Sequence, residues 1–129
     1  MTGTAVRVDS HKNRSLPTRL RCAWMGLRHG VRAEHSLKFQ LAAFALLVTF
    51  LIIVRAGPLW WALAMLASGG VFAAELFNTS IEELADHLHP EVHDRIRVVK
   101  DCAAAAVLVM VLGAIAVGVA LVVSLLRRG

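Results

Sequence analysis

Apolar positions along the chain form one periodic stretch and three long runs. From Thr18 to about Ala33, the residues Leu20, Trp24, Leu27 and Val31 recur at four, three and four, while Arg21, Arg28 and Arg32 lie elsewhere on the wheel. That spacing predicts an amphipathic helix over about 18–33 with a basic side, suited to a membrane interface, and Trp24 fits that depth. An ordinary helix packed on a soluble partner would show the same pattern, and Gly26 and Gly30 weaken the helix. Leu41 to Val54 is free of charge, and the helix extends back through Leu37. At a rise of ~1.5 Å per residue it reaches about 27 Å, enough for a tilted or thin-membrane crossing. Arg55-Ala56-Gly57-Pro58 is expected to form a tight turn, Gly57 breaking this helix and Pro58 starting the next, with Trp60 and Trp61 in an interfacial belt. The second crossing runs from about Leu59 to Phe77 and continues as helix to Asp86. His87 to Val99 is predicted as a polar loop broken at Pro90. The third crossing covers about 101–126, its apolar part beginning at Ala103. Glycines and alanines in the last two crossings suit close helix packing.

The predicted fold class is therefore an all-α integral membrane protein, an amphipathic surface helix plus three transmembrane helices. Residues 1–16 are expected to be a flexible polar lead and residues 17–129 a single membrane domain. Composition agrees. Of 129 residues, 57% are hydrophobic, and the mean hydropathy is +0.64. A soluble domain of this size has too little interior for so much apolar surface. The net charge of +5 sits mostly before the first long run, which suits an anionic membrane surface; no nucleic-acid-binding module is present. Cys22 and Cys102 lack ligand spacing and read as two reduced thiols. The apolar runs begin too late for a cleavable signal peptide, so the whole chain is expected to be mature. Arginine and lysine placement puts the N-terminus and the 87–101 region on the cytoplasmic side.

Candidate chemistry sits at the end of the second crossing, Glu75-Leu76-Phe77-Asn78-Thr79-Ser80-Ile81-Glu82-Glu83-Leu84-Ala85-Asp86. Asn78, Glu82 and Asp86 lie three, seven and eleven residues beyond Glu75, so one helix face carries three carboxylates and an amide. Acids in one line repel unless a cation or a basic side chain sits among them. An unpaired acid at membrane depth costs at least ~2.5–3.5 kcal/mol, which makes Glu75 a functional candidate. No glycine-rich phosphate loop and no zinc motif is present. Carboxylates and Lys100 at a membrane surface suit magnesium with phosphates. Glu34 and Glu82 reach the same layer, and Glu75, the deepest, is placed to act as base toward a lipid hydroxyl. Plainer readings stand beside these: a solvated helix end for Glu82 and Glu83, an interhelical clamp for Glu75 and Asn78, interfacial charge for Lys100 and Asp101. His87, His89 and His93 read as a solvated loop rather than a transition-metal site.

The run from Glu75 to Glu82, then Asp86, then Lys100-Asp101 followed by Ala104-Ala105-Ala106-Val107, resembles the signature of the prokaryotic diacylglycerol kinases, a family that includes undecaprenol kinases. Glu34 to Lys38 resembles an upstream segment of the same family, and the match covers roughly Trp24 to Val111. The resemblance implies a homotrimer with active sites shared between protomers, in a bacterial cytoplasmic (inner) membrane. It implies transfer of the γ-phosphate of magnesium-ATP to a lipid hydroxyl at the cytoplasmic face. Glu75 would then be the catalytic base. Glu34 and Glu82 would bind Mg2+ and nucleotide. Glu91, Val92, His93, Lys100 and Asp101 would contact nucleotide. Asn78, Asp86, Lys38 and Trp24 would support the site or the substrate. The chain departs from the pattern in two places. It has no tyrosine, so Ser15 and Cys22 stand about where some members carry Arg and Tyr. Gln40 stands where others carry Glu or His.

The expected function is diacylglycerol kinase. Undecaprenol kinase is the alternative within the class, and a small trimeric cation channel or transporter, or a structural adaptor, the alternatives outside it. The channel is disfavoured because the first and third crossings carry no acids.

Overall fold

The computed structural model describes residues 15–33, 35–88 and 93–127. Every element among them is an α-helix: α1 (Leu16–Ala33), α2 (His35–Ile53), α3 (Pro58–Leu88) and α4 (Asp94–Leu126). Residues 1–14, which hold most of the expected flexible lead, lie outside the described residues.

Three of these helices, α2, α3 and α4, are long and apolar enough to cross a membrane. At ~1.5 Å per residue, α2 is about 28 Å long, α3 about 46 Å and α4 about 50 Å. The hydrocarbon core is ~30 Å thick, so α3 and α4 rise well beyond it while α2 does not. Large apolar side chains are widely exposed, Leu46 by 72%, Ile53 by 73% and Leu66 by 74%. In water such a surface would drive aggregation; in a bilayer it is solvated by lipid chains.

Packing is antiparallel between α2 and α3 and between α3 and α4, with α1 laid against α2 and α3. Leu51, Ala64 and Leu121 form a small core at one end, covered by Trp60, Trp61 and Leu125. Midway along, the Phe44 and Phe72 rings meet edge to face with centroids 6.3 Å apart. At the other end Leu37 is fully buried. α1 is unbroken through both glycines. Gly30 is there for contact: a Cβ on it would sit 2.7 Å from Leu76 Cδ2 and 3.2 Å from Leu37 Cδ1. Gly70 plays the same part between α3 and α4, where a Cβ would overlap Met110 Cε.

Two expectations are corrected. The predicted loop from His87 to Val99 is mostly helix, since α3 continues to Leu88 and α4 begins at Asp94. His93 caps α4 with an extended backbone, its Nδ1 accepting the Arg95 N–H at 3.2 Å, and Asp94 sits in the first turn. A negative charge there is favoured by the helix dipole. Asp94 also faces Arg97 at 3.7 Å, one turn on, so charges that read as loop composition stabilise a helix start.

The end of α2 is the second correction. Gly57 is not the residue that turns the chain. Arg55 adopts the left-handed conformation with φ 49°, the single positive-φ non-glycine among the described residues. Its N–H donates to the Ile52 carbonyl at 3.1 Å, and the Ala56 N–H to the Leu51 carbonyl at 3.0 Å. That pair of bonds is a Schellman cap, which usually carries glycine at this position. Gly57 instead opens α3, its carbonyl accepting from Trp60 at 3.0 Å. A left-handed non-glycine residue costs about 1 kcal/mol. Arg55→Gly is therefore expected to raise stability by about that amount in denaturant unfolding in micelles; an unchanged or lower midpoint would contradict the cap assignment.

Candidate active site

The acids of α3 keep to one side of the helix, and each meets a partner of its own. Glu75, half-buried, accepts a hydrogen bond from Gln40 Nε2 of α2 at 2.8 Å. Thr79, buried one turn on, donates its hydroxyl to the Glu75 carbonyl at 3.0 Å. Asn78 Nδ2 donates to Glu82 Oε1 at 3.0 Å, within α3. Asp86 receives the Lys100 ammonium of α4 at 2.6 Å, and Glu83 meets His29 Nε2 of α1 at 2.8 Å. The repulsion expected of an acidic line is relieved by two amides, one lysine and one histidine drawn from all four helices.

Polarity changes along the line. Glu75 and Glu82 lie about 10 Å apart along the axis and Asp86 about 6 Å further. Glu75 and Glu82 are half-buried, whereas Asp86 and Glu83 are exposed. Lys100 precedes the apolar run that begins at Ala103. Its pKa is raised above the usual lysine value, first by the hydrogen bond to Asp86 and then by the charges of Asp86 and Glu82, so it is a cation at physiological pH.

Among the described residues two buried acceptors have no donor: Gln40 Oε1 and Asn78 Oδ1. A buried polar atom left unpaired costs about 1–3 kcal/mol, and such atoms in a native site point to a ligand or water. Among the described residues Glu75 engages only Oε1, which leaves Oε2 as an acceptor for an incoming proton.

Of the other expected site residues, Trp24, Lys38 and Asp101 are exposed, Asp101 directly after Lys100 in α4, and His93 stands at the α4 cap. Glu34, Glu91 and Val92 lie outside the described residues, as does His89. Neither Cys22 nor Cys102 is in a disulfide. Among the described residues no three His, Cys, Asp or Glu side chains converge as a protein metal cage would require. Magnesium carried in on phosphates needs only one or two carboxylates. Glu82, with one oxygen turned to Asn78, fits that smaller demand.

Sequence reasoning missed Gln40 as the partner of Glu75, although an amide at the head of an apolar run is a visible signal. It also missed the His29–Glu83 contact, which no periodicity on one helix announces.

The family model described as prokaryotic diacylglycerol kinase matches residues 21–122. The chain is similar to an undecaprenol kinase of Bacillus subtilis, 32% identical over 87 residues, which cover 67% of this chain and 71% of that protein. It is also similar to a diacylglycerol kinase of Synechocystis, 27% identical over 99 residues, which cover 76% of this chain and 57% of that protein. No solved structure matches.

Two contacts tie α1 to the site end of α3, and they differ in weight. The His29–Glu83 pair is exposed on both sides, and exposed ion pairs contribute ~0–1 kcal/mol. His29→Ala should therefore shift the unfolding midpoint only slightly. Gly30→Leu should lift α1 from Leu76 and Leu37 and speed alkylation of half-buried Cys22 in a Cys102→Ser background. Equal alkylation rates in the two variants would refute the ranking.

Proposed function

The chain belongs to the prokaryotic diacylglycerol kinase family and so is a membrane lipid kinase; on that premise we propose that it transfers the γ-phosphate of magnesium-ATP to the hydroxyl of diacylglycerol. The observation that carries the reading is the setting of Glu75. It ends the apolar part of α3, is held through one oxygen by Gln40, and among the described residues keeps the other oxygen unengaged. A carboxylate so placed meets a lipid hydroxyl from within the membrane and accepts its proton.

In the proposed reaction the acceptor oxygen forms a bond to the γ-phosphorus as the bond from that phosphorus to the β–γ bridging oxygen breaks. The hydroxyl proton passes to Glu75, and ADP leaves. Phosphoryl transfer asks mainly for positioning and charge stabilisation. Glu82, with Glu34, is the proposed holder of Mg2+, which when bound neutralises phosphate charge. Asn78 orients Glu82. Lys100, kept protonated beside Asp86, is the proposed phosphate contact, with Asp101 and the stretch 91–93 around the nucleotide. Trp24 and Lys38 are proposed to lie toward the lipid.

The orientation we propose puts this end in the cytoplasm. All basic residues except Arg55, Arg127 and Arg128 belong to the N-terminal lead, α1, the head of α2 or the start of α4. Such a bias places the N-terminus inside. A homotrimer in the bacterial inner membrane, with sites shared between protomers, completes the proposal. Family membership sets aside the cation-channel and adaptor alternatives.

A second acceptor is favoured by one observation: the 32% identical relative is an undecaprenol kinase. Labelled magnesium-ATP offered to the protein in mixed micelles with each acceptor separately decides between them. Label in phosphatidic acid supports diacylglycerol; label only in undecaprenyl phosphate replaces it. Glu75→Ala is expected to lower turnover at least ~100-fold while nucleotide binding persists. Glu82→Ala should shift the magnesium titration to higher concentration, and an unchanged curve would remove Glu82 as a ligand.

A further inference from the structure

The end of the bundle away from the acids carries uncompensated positive charge. Arg55 follows α2 and Arg127 caps α4, and both are exposed. The cluster of Leu51, Ala64 and Leu121, with Ala56 and Leu125 packed on it, holds those two helix ends together. Among the described residues neither guanidinium is in an ion pair. All nine acids of the chain lie far from both arginines in sequence: Asp9 and Glu34 precede α2, and the other seven run from Glu75 to Asp101. Glu75 is about 26 Å along α3 from its start at Pro58, and Asp101 about 39 Å along α4 from Arg127. Exposed charges are screened over ~8 Å at physiological salt, so no acid of α3 or α4 neutralises this end.

Trp60 and Trp61 are half-buried against the same cluster. Among the described residues neither indole N–H has an acceptor, although an indole between an apolar interior and water usually finds one. Ile53, Leu59 and Leu126, beside these groups in sequence, are exposed. Two guanidiniums and two indole N–H groups, all donors, thus stand at the rim of an apolar surface. We propose that this end is a docking surface for a phospholipid of net negative charge, its phosphate held by Arg55 and Arg127 and its chains laid along Ile53, Leu59 and Leu126. A guanidinium offers phosphate a planar fork of donors, and the indoles suit the ester oxygens just below it.

The backbone of Arg55 points the same way. It holds a left-handed conformation, φ 49°, that glycine adopts more readily, so the side chain is retained against a conformational preference. A plainer account places both arginines for the helix dipoles, since each stands at a helix C-terminus. That attraction lies within the protein and is the same in every lipid, whereas a headgroup contact depends on the charge of the lipid supplied. The basic row of α1 is no substitute, because α1 packs near Leu37 and Leu76, at the end that carries the acids.

The test uses the full chain in phosphatidylcholine nanodiscs, in a Trp24→Phe background so that fluorescence comes from Trp60 and Trp61 alone. Phosphatidylglycerol and phosphatidylcholine, each brominated on a chain carbon, are incorporated separately at rising mole fraction. Quenching should set in at a lower fraction of the anionic lipid. Arg55→Gln and Arg127→Gln should each reduce that preference by up to about fivefold, the weight of one cation at an anionic surface, and the double variant should bring the two lipids to parity. Equal quenching by the two lipids in the parent, or a preference that survives the double variant in protein of parental helicity, overturns the surface. Stability gives a second readout. Arg55→Gly, expected above to raise the unfolding midpoint in micelles, should show that gain in nonionic micelles and lose it when phosphatidylglycerol is added, because the parent then gains a contact the variant lacks. A gain of the same size in both overturns the role of Arg55 and leaves the dipole account standing.

Discussion

A single hydrogen bond between α2 and α3 sets the arrangement of everything around it. Gln40 reaches Glu75 at 2.8 Å. A carboxylate placed between apolar helices without a partner would cost at least ~2.5–3.5 kcal/mol at membrane depth. The amide offsets part of that cost and fixes the register of the two helices. With Gln40 opposite Glu75, antiparallel packing brings Phe44 to Phe72 one turn deeper and Leu51 to Ala64 at the far end. A slip of one residue would rotate the acid away from its donor and break both apolar contacts. The polar pair supplies direction, and the apolar contacts supply most of the close packing.

The length of α3 then grades the chemistry. A helix of about 46 Å cannot be contained in a ~30 Å hydrocarbon layer. The acids begin where its apolar run ends and continue outward. Glu75 is half-buried against an amide, Glu82 half-buried against Asn78, and Asp86 exposed against Lys100. The deep end therefore suits a group that arrives from lipid, and the shallow end suits one that arrives from water. One helix holds both ends at fixed spacing, as transfer between a lipid and a water-soluble donor demands. α4 extends equally far because Lys100 has to reach Asp86.

Much of this was legible in the sequence, for identifiable reasons. A 3.6-residue period placed Glu75, Asn78, Glu82 and Asp86 on one face without any knowledge of neighbours, and apolar length gave the crossings. What a wheel cannot show is the neighbouring helix. Gln40 stood out in sequence only as a departure, since pairing it with Glu75 requires the register of α2 against α3. The start of α4 was hidden because Asp94, Arg95 and Arg97 look like loop composition, while in the fold a cap, a dipole and an ion pair use them. The end of α2 was hidden because Gly57 and Pro58 are louder signals than Arg55, yet the Schellman bonds fall two residues earlier.

Water is the remaining competitor for any phosphoryl group brought to this end of the molecule, and the packing behind Glu75 bears on that competition. Leu76, the residue after Glu75, is met by Gly30 of α1. Gly30 also touches Leu37, which is fully buried, and Thr79 is buried one turn above. These four residues pack α1 beside the turn of α3 that carries Glu75. A β-carbon at Gly30 would push α1 outward, so the glycine that weakens the helix by propensity is what allows α1 to approach α3 closely. Gln40, which holds Glu75, lines a cavity whose other walls are apolar apart from Ser68. The glycine contact and the buried leucine leave little room for water between α1 and this stretch of α3.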